Sequence, residues 1–214
     1  MDRPDSSYEN DLLQSGYTNI VGVDEVGRGA LAGPLVVGAC RWVPDVLDDL
    51  GVADSKQLSA SRRAKIFHAI QERSNDWATG EALPSECDHL GMGQALALAA
   101  VRAIMSLPEM PDAILLDGPH DFISPKLPEG LDIVVRTVPG GDKRCVSVAA
   151  ASIVAKVTRD TFMEAISGIY QGYGFARNKG YGTPDHMDAL RSIGPSSVHR
   201  MSWKPIRDIA SQSR

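Results

Sequence analysis

A short apolar run that ends in two acids constrains this chain more than any other feature. Ile20-Val21-Gly22-Val23 is apolar and largely β-branched, the composition of a buried strand. Asp24 and Glu25 follow at its end, and Gly27, Gly29 and Gly33 come directly after them. Carboxylates at the mouth of a buried strand are costly, because charge resists leaving water. A bound cation would remove that cost, and a solvated acidic turn would avoid it. Whatever this chain folds into must satisfy one of these two conditions.

At 214 residues the chain has room for one large domain, or one domain with a small appendage. No apolar run approaches membrane-spanning length, so no membrane role is expected. The start, Met-Asp-Arg-Pro-Asp-Ser-Ser, lacks the basic and apolar regions of a signal peptide. Cys40, Cys87 and Cys145 are odd in number and widely spaced, which fits reduced thiols and a cytoplasmic protein. The net charge of −5 hides an asymmetry: residues 1–135 carry 10 Lys/Arg against 21 Asp/Glu, and residues 136–214 carry 12 against 6. A basic final third suits an anionic partner held at one end.

The order of elements predicts an α/β fold with a mixed sheet. Strands are expected over 20–26, Leu35–Trp42, Trp77–Leu83, Ala113–Leu116 and Leu131–Val138, the first two pairing as a hairpin. Helices are expected from an N-cap at Ser59 to about Arg73, over Gly91–Leu107, and from Cys145 to about Tyr170. The last of these has a small-residue face, Ala149, Ala150, Ala151 and Ala155, able to pack closely on a sheet. Thr183 is placed to cap a short helix through Arg191, and a final helix is expected near Pro205. Residues 1–18 read as a polar tail.

Asp24, Glu25, Asp117 and Asp142 share one context: each follows an apolar strand, or opens a helix after one. Ligand sites in open α/β sheets gather at strand ends. Acids there, without His or Cys partners, favour a hard divalent cation such as Mg²⁺. Two such ions about 4 Å apart can activate water and stabilise a leaving oxygen in phosphodiester cleavage. One geometric objection stands. Adjacent strand residues point to opposite faces, so Glu25 should lie past the strand end, sit on a bulge, or use its backbone carbonyl. The glycine spacing G-x-G-x-x-x-G also approaches a dinucleotide fingerprint. However, it runs into Pro34 and a β-like segment rather than opening a helix.

Val-Asp-Glu-Val-Gly-Arg-Gly with the following Leu-Ala-Gly-Pro-Leu resembles the signature of type 2 ribonuclease H, the bacterial ribonuclease HII family. Asp54-Ser55-Lys56-Gln57-Leu58-Ser59, Asp117-Gly118, the stretch Ser147 to Asp160, Lys179-Gly180-Tyr181-Gly182-Thr183 and His199-Arg200 match in the same order. The resemblance implies a ribonuclease H-like mixed five-stranded sheet flanked by helices, with a small helical C-terminal part. Its catalytic domain would span 20–205, between an N-terminal tail at 1–19 and a C-terminal tail at 206–214.

The activity it implies is metal-dependent endonucleolytic cleavage of RNA in RNA–DNA hybrids, and incision 5′ of single ribonucleotides in duplex DNA. That activity would serve ribonucleotide excision repair and leave 5′-phosphate and 3′-hydroxyl ends. The cofactor would be Mg²⁺ or Mn²⁺ and the protein a monomer.

The family's catalytic and metal-binding carboxylates fall on Asp24, Glu25, Asp117 and Asp142. Its Gly-Arg-Gly element, associated with reading the 2′-hydroxyl, falls on Gly27, Arg28 and Gly29. Tyr181 matches a tyrosine that packs beside the deoxyribose after the ribonucleotide, and Lys56 is expected at a backbone phosphate. Lys179 and Arg200 are expected to contribute similarly. Two departures stand out: where the family often has Lys-Gly-Asp this chain reads Gly140-Gly141-Asp142, with Lys143 placed to substitute for the lysine, and Trp203 stands where phenylalanine is common. The related ribonuclease HIII family would carry a different glycine element and a long N-terminal extension. A non-catalytic nucleic-acid-binding module would need the basic end but not four acids.

Overall fold

Glycine and alanine set how closely the layers of this fold approach one another. The computed structural model describes residues 3–74 and 76–212. In chain order the elements are α1 (Ser7–Gln14), β1 (Ile20–Val26), β2 (Leu35–Arg41), α2 (Ala60–Arg73), β3 (Trp77–Ala82), α3 (Pro84–Leu90) and α4 (Met92–Met105). They continue with β4 (Ala113–Asp117), β5 (Val134–Val138), α5 (Val146–Ser167), α6 (Phe175–Asn178), α7 (Pro184–Ile193) and α8 (Lys204–Gln212). The strands form one mixed sheet in the order β3-β2-β1-β4-β5. β1 pairs antiparallel with β2, as the hairpin expectation requires, and parallel with β4.

α5 lies on one face of the sheet. A Cβ at Gly22 would overlap the Ser147 backbone, and one at Gly38 would overlap the Ala151 carbonyl. Ala149, Ala150, Ala151 and Ala155 are fully buried, so the small-residue face does pack on the strands. α4 covers the other face by the same device, with Gly80 against the Ala99 carbonyl. A third cluster joins Leu31 and Ala32 of the glycine turn to Met163 and Ile166 of α5, Phe175, Leu190 and Ile206. The C-terminal helices are thereby packed directly against the turn that follows the two acids.

Several boundaries differ from the sequence expectation. Part of the expected N-terminal tail forms α1, with Leu12 in the core and Glu9 fully buried. Glu9 Oε1 accepts hydrogen bonds from the backbone N–H (2.9 Å) and hydroxyl (2.7 Å) of Ser147, in the first turn of α5. Part of the expected C-terminal tail belongs to α8, whose Ile206 and Ile209 are buried three residues apart. α3 was not anticipated. Pro84 sits at its first position, where a missing N–H costs nothing, and Glu86 closes the turn onto the Leu83 N–H (2.8 Å). β5 begins at Val134 rather than Leu131.

Candidate active site

Parallel pairing brings the acids together. β1 and β4 run in register through Val23 and Leu116, so the next residue on each strand is an aspartate, Asp24 beside Asp117. Asp24, Glu25 and Asp117 each offer a carboxylate oxygen within 4.8 Å of the others. The geometric objection to Glu25 does not hold. Glu25 lies inside β1, pairing with Val37 of β2 one step after Asp24 pairs with Gly38, with no bulge between them. The pairing with β4 ends one residue before Asp24, however. At that end of the β1–β4 pairing the carboxylates of Asp24, Glu25 and Asp117 come together although Asp24 and Glu25 are adjacent in one strand.

Each member is held by local structure. The Glu25 N–H donates to Asp24 Oδ1 (2.7 Å), and the Gly141 N–H donates to Asp117 Oδ1 (2.7 Å). Ser152, on α5, is a hydrogen-bond partner of Asp24. It also shares a 2.8 Å hydrogen bond with Ser55, which ties the Asp54-Ser55-Lys56 loop to the site. Neither serine was singled out from the sequence. Both lie in stretches that carry the family resemblance.

Asp142 is buried on the turn before α5 but stands outside the three-acid group. Burial raises its pKa, and Asp54 and Asp117 add to that, while Lys56 and Lys143 oppose it. The site holds more negative charge than it can comfortably carry. Burial pushes the Asp24 carboxyl well above its ordinary range, and repulsion from Glu25 and Asp117 pushes it further. Glu25 is raised by burial and by Asp117, with Arg28 and Lys56 pulling the other way. Three crowded carboxylates offering only oxygen donors fit a hard divalent cation, whose charge would reverse these shifts.

Positive charge frames the acids without neutralising them. Burial lowers the Lys56 pKa, but attraction from Asp142, Asp24, Asp54 and Asp117 outweighs it and the net shift is upward. Arg28 is largely exposed and reaches Glu25 at 3.7 Å. Glu25, Arg28, Asp117, exposed His120 and Phe122 line a cleft of about 270 Å³ that is floored by Gly93 and Leu96 of α4.

The glycine turn has two kinds of glycine. Gly27 has φ +88°, and a Cβ there would strike the Arg159 guanidinium. A Cβ at Gly29 would meet nothing within 4 Å. Tyr181 is half-buried beside this turn: Gly180 packs on the Ala32 carbonyl, and the Leu31 N–H donates to Gly180 O (2.8 Å).

Two expectations for basic residues need correction. Arg200 is fully buried, donating to the backbone carbonyls of Arg28 and Gly33 (both 3.1 Å), so it braces the turn and does not face a phosphate. Lys179 is paired with Glu164 at 2.6 Å. Cys145 is buried with its thiol pushed up to about 12, chiefly by burial, which agrees with a packing role.

Fold and site together define a ribonuclease H-like protein with an acidic strand-end centre. The description "Ribonuclease HII" belongs to the family model that matches residues 21–206. The chain is 44% identical to a ribonuclease HII of Cereibacter sphaeroides over 98% of its own length and 95% of that protein's. Among solved structures it is similar to the ribonuclease H2 of Pyrococcus horikoshii, with TM-score 0.78 and 30% identity over 91% of this chain and 98% of that one. It is also similar to the RNase HII from a PCNA complex of Archaeoglobus fulgidus, with TM-score 0.71 and 30% identity over 87% and 96%. The chain belongs to the ribonuclease HII family, and is therefore a metal-dependent endoribonuclease. No described helix is long and apolar enough to cross a membrane.

Proposed function

We propose that this protein cuts the RNA strand of RNA–DNA hybrids and incises 5′ of single ribonucleotides embedded in duplex DNA. The products would carry 5′-phosphate and 3′-hydroxyl ends. The observation that carries the reading is the convergence of Asp24, Glu25 and Asp117 at the ends of two parallel strands, beside a glycine turn.

In this reading Asp24, Glu25, Asp117 and Asp142 would hold two divalent ions, Mg²⁺ or Mn²⁺, with Asp24 the central member of the set. Such ions, when bound, supply an activated water and charge stabilisation for the departing 3′-oxygen. The chain's own residues do the rest. Gly29 lets the backbone approach the 2′-hydroxyl, since no side chain stands in the way. Gly27 and Arg28 shape the same turn. The Tyr181 ring packs on the deoxyribose that follows the ribonucleotide, and Lys56 meets a backbone phosphate at the edge of the acids. Lys143, exposed beside Asp142, takes the place of the lysine the family carries two residues before the acid. The protein acts as a monomer.

The test is incubation of a duplex containing one ribonucleotide with Mg²⁺ or Mn²⁺, with and without EDTA. Incision 5′ of the ribonucleotide that EDTA abolishes is the expected result. Binding without incision under any divalent ion would leave only a nucleic-acid-binding module.

A further inference from the structure

Behind Tyr181 lies a pair of histidines that catalysis by the acids does not use. His186, in the first turn of α7, and His199 are both buried. Their Nε2 atoms lie 3.1 Å apart, so one must carry a proton and the other must not. The surroundings decide which. The Ser196 backbone N–H donates to His199 Nδ1 at 2.9 Å, and a backbone N–H can only donate. His199 Nδ1 also lies 2.9 Å from Ser196 Oγ, which can donate, and 3.3 Å from the Ser196 carbonyl. The N–H contact is shorter than the carbonyl one, so it assigns Nδ1 as an acceptor and places the His199 proton on Nε2, directed at His186. His186 Nε2 accepts it, which leaves the second proton on His186 Nδ1. That nitrogen lies 2.9 Å from the backbone carbonyl of Tyr181. The result is a one-way chain of hydrogen bonds from Ser196 through two neutral imidazoles to Tyr181.

The environment keeps this chain in one state. Burial holds His186 below its ordinary range; burial and then the neighbouring His186 hold His199 down at about 4. Tyr173 and Phe175 pack their rings against both histidines. The tyrosine is also held from its other side. The Arg159 guanidinium lies 5.3 Å from the Tyr181 ring centroid and donates to the carbonyls of Pro34 (2.8 Å), Lys179 (2.8 Å) and Ala32 (2.9 Å). It thus spans the glycine turn and the tyrosine loop.

We propose that His186 and His199 are positioning residues that fix the Tyr181 backbone in register with the glycine turn, and that through it they set the preference for single-ribonucleotide junctions over continuous hybrids. The inference rests on the reading of Tyr181 given above as the contact to the following deoxyribose.

Two conservative replacements at one position separate positioning from packing. His186→Asn puts an amide nitrogen near the site of Nδ1 and keeps a donor for the Tyr181 carbonyl. His186→Gln puts its amide near Nε2, keeps a partner for His199 and loses the bond to Tyr181. The measurement is the ratio of cleavage rates on a single-ribonucleotide duplex and a long RNA–DNA hybrid. His186→Gln is expected to lower the ratio about five-fold, the scale of one lost hydrogen bond, and His186→Asn to stay within about two-fold of the parent. In a Tyr181→Ala background the effect of His186→Gln on the ratio should vanish. Equal behaviour of the Asn and Gln variants, with the ratio unchanged and only thermal stability reduced, would overturn the proposal. If Tyr181→Ala moves the ratio and His186→Gln does not, this inference alone falls. If Tyr181→Ala itself leaves the ratio unchanged, the reading of Tyr181 falls and takes this inference with it. Should His186→Gln fail to fold, His199→Asn, which loses the donor to His186, replaces it. Its comparison is His199→Gln, which keeps that donor, and the same ratio decides.

Discussion

Two regions of this molecule bury charge, and they do so in opposite ways. At the ends of β1 and β4, carboxylates crowd together, and burial followed by repulsion from their neighbours raises the pKa of Asp24 and Glu25, with no cation of the chain inside the group. Against the glycine turn that follows β1, Arg159 and Arg200 are fully buried, yet their guanidinium groups are bonded to backbone carbonyls of the turns around them. The first region is internally unsatisfied, which suits a site that receives a ligand from outside. The second is largely matched, with Arg200 Nε alone of these guanidinium nitrogens lacking a partner among the described residues, which suits a frame that holds its shape. The glycine turn joins the two, carrying acids on one side and resting on arginines on the other.

The sharpest way to break this contrast is to remove charge from the unsatisfied region. Asp24→Asn or Asp117→Asn should lower Mg²⁺-dependent cleavage by at least ~100-fold, since metal-assisted charge stabilisation is worth several kcal/mol. Folding and duplex binding should persist, because the lost charge was repelled by its neighbours. Near-parental cleavage by both variants, measured on a single-ribonucleotide duplex, would show that the acids do not act as a metal-binding unit.

The matched region should respond in the opposite sense. Arg159→Met strips partners from three backbone carbonyls, two of them buried, and should cost on the order of 3 kcal/mol of stability, as breaking buried charged networks does. Urea denaturation of the two kinds of variant makes the comparison direct: a clear fall in midpoint for the arginine variant, little change for the aspartates. Equal midpoints would erase the distinction between the regions.

At the junction of the two, the effects are on selectivity. Tyr181→Ala should lower cleavage at a single ribonucleotide, relative to a long hybrid, by about ten-fold, the scale of one lost stacking contact. Tyr181→Phe should keep most of the activity. Gly29→Ala is a cleaner probe than any change at Gly27, because its methyl meets nothing in the folded chain. It should reduce cleavage of ribonucleotide-containing DNA more than binding to all-DNA duplex. Equal losses on both would reduce the turn to a plain loop.

The two regions were not equally legible in the sequence. The acids were, since charge directly after an apolar β-branched run is conspicuous and the sheet is built from such runs. Glu25 was harder, because strand alternation argued against it, and only the folded chain shows its carboxylate within reach of Asp24 and Asp117 at the strand ends. Arg200 was misread. A basic residue in a basic stretch suggests a phosphate, whereas its real partners, the carbonyls of Arg28 and Gly33, lie more than 160 residues away in the chain. α1 was read as a tail, and the helix expected near Pro205 was cut short by a tail from 206, because each segment carries only a few apolar residues among many polar ones, such as Leu12, or Ile206 and Ile209. Burial of these helices depends on surfaces that other elements supply.

The smallest effect tests whether α1 belongs to the matched kind of region. Glu9 is buried against the start of α5; its Oε1 is bonded to Ser147, while Oε2 has no partner among the described residues. Burial raises its pKa above 4.5, and the Ser147 hydrogen bonds only partly oppose this. A carboxyl whose folded pKa is raised binds its proton more tightly in the folded state. Its contribution to stability is therefore present at low pH and is lost as pH rises from the unfolded value through the folded one. Glu9→Gln keeps an acceptor for Ser147 and removes the titration. The variant should match the parent near pH 4 and become more stable than it above the folded pKa, by less than about 1 kcal/mol given the two bonds retained. Thermal midpoints of both proteins at pH 4, 5, 6 and 7.5 would reveal the divergence. Parallel curves would mean that Glu9 is ionised as easily in the folded protein as in the unfolded chain, and that α1 holds its charge as comfortably as the arginine frame does.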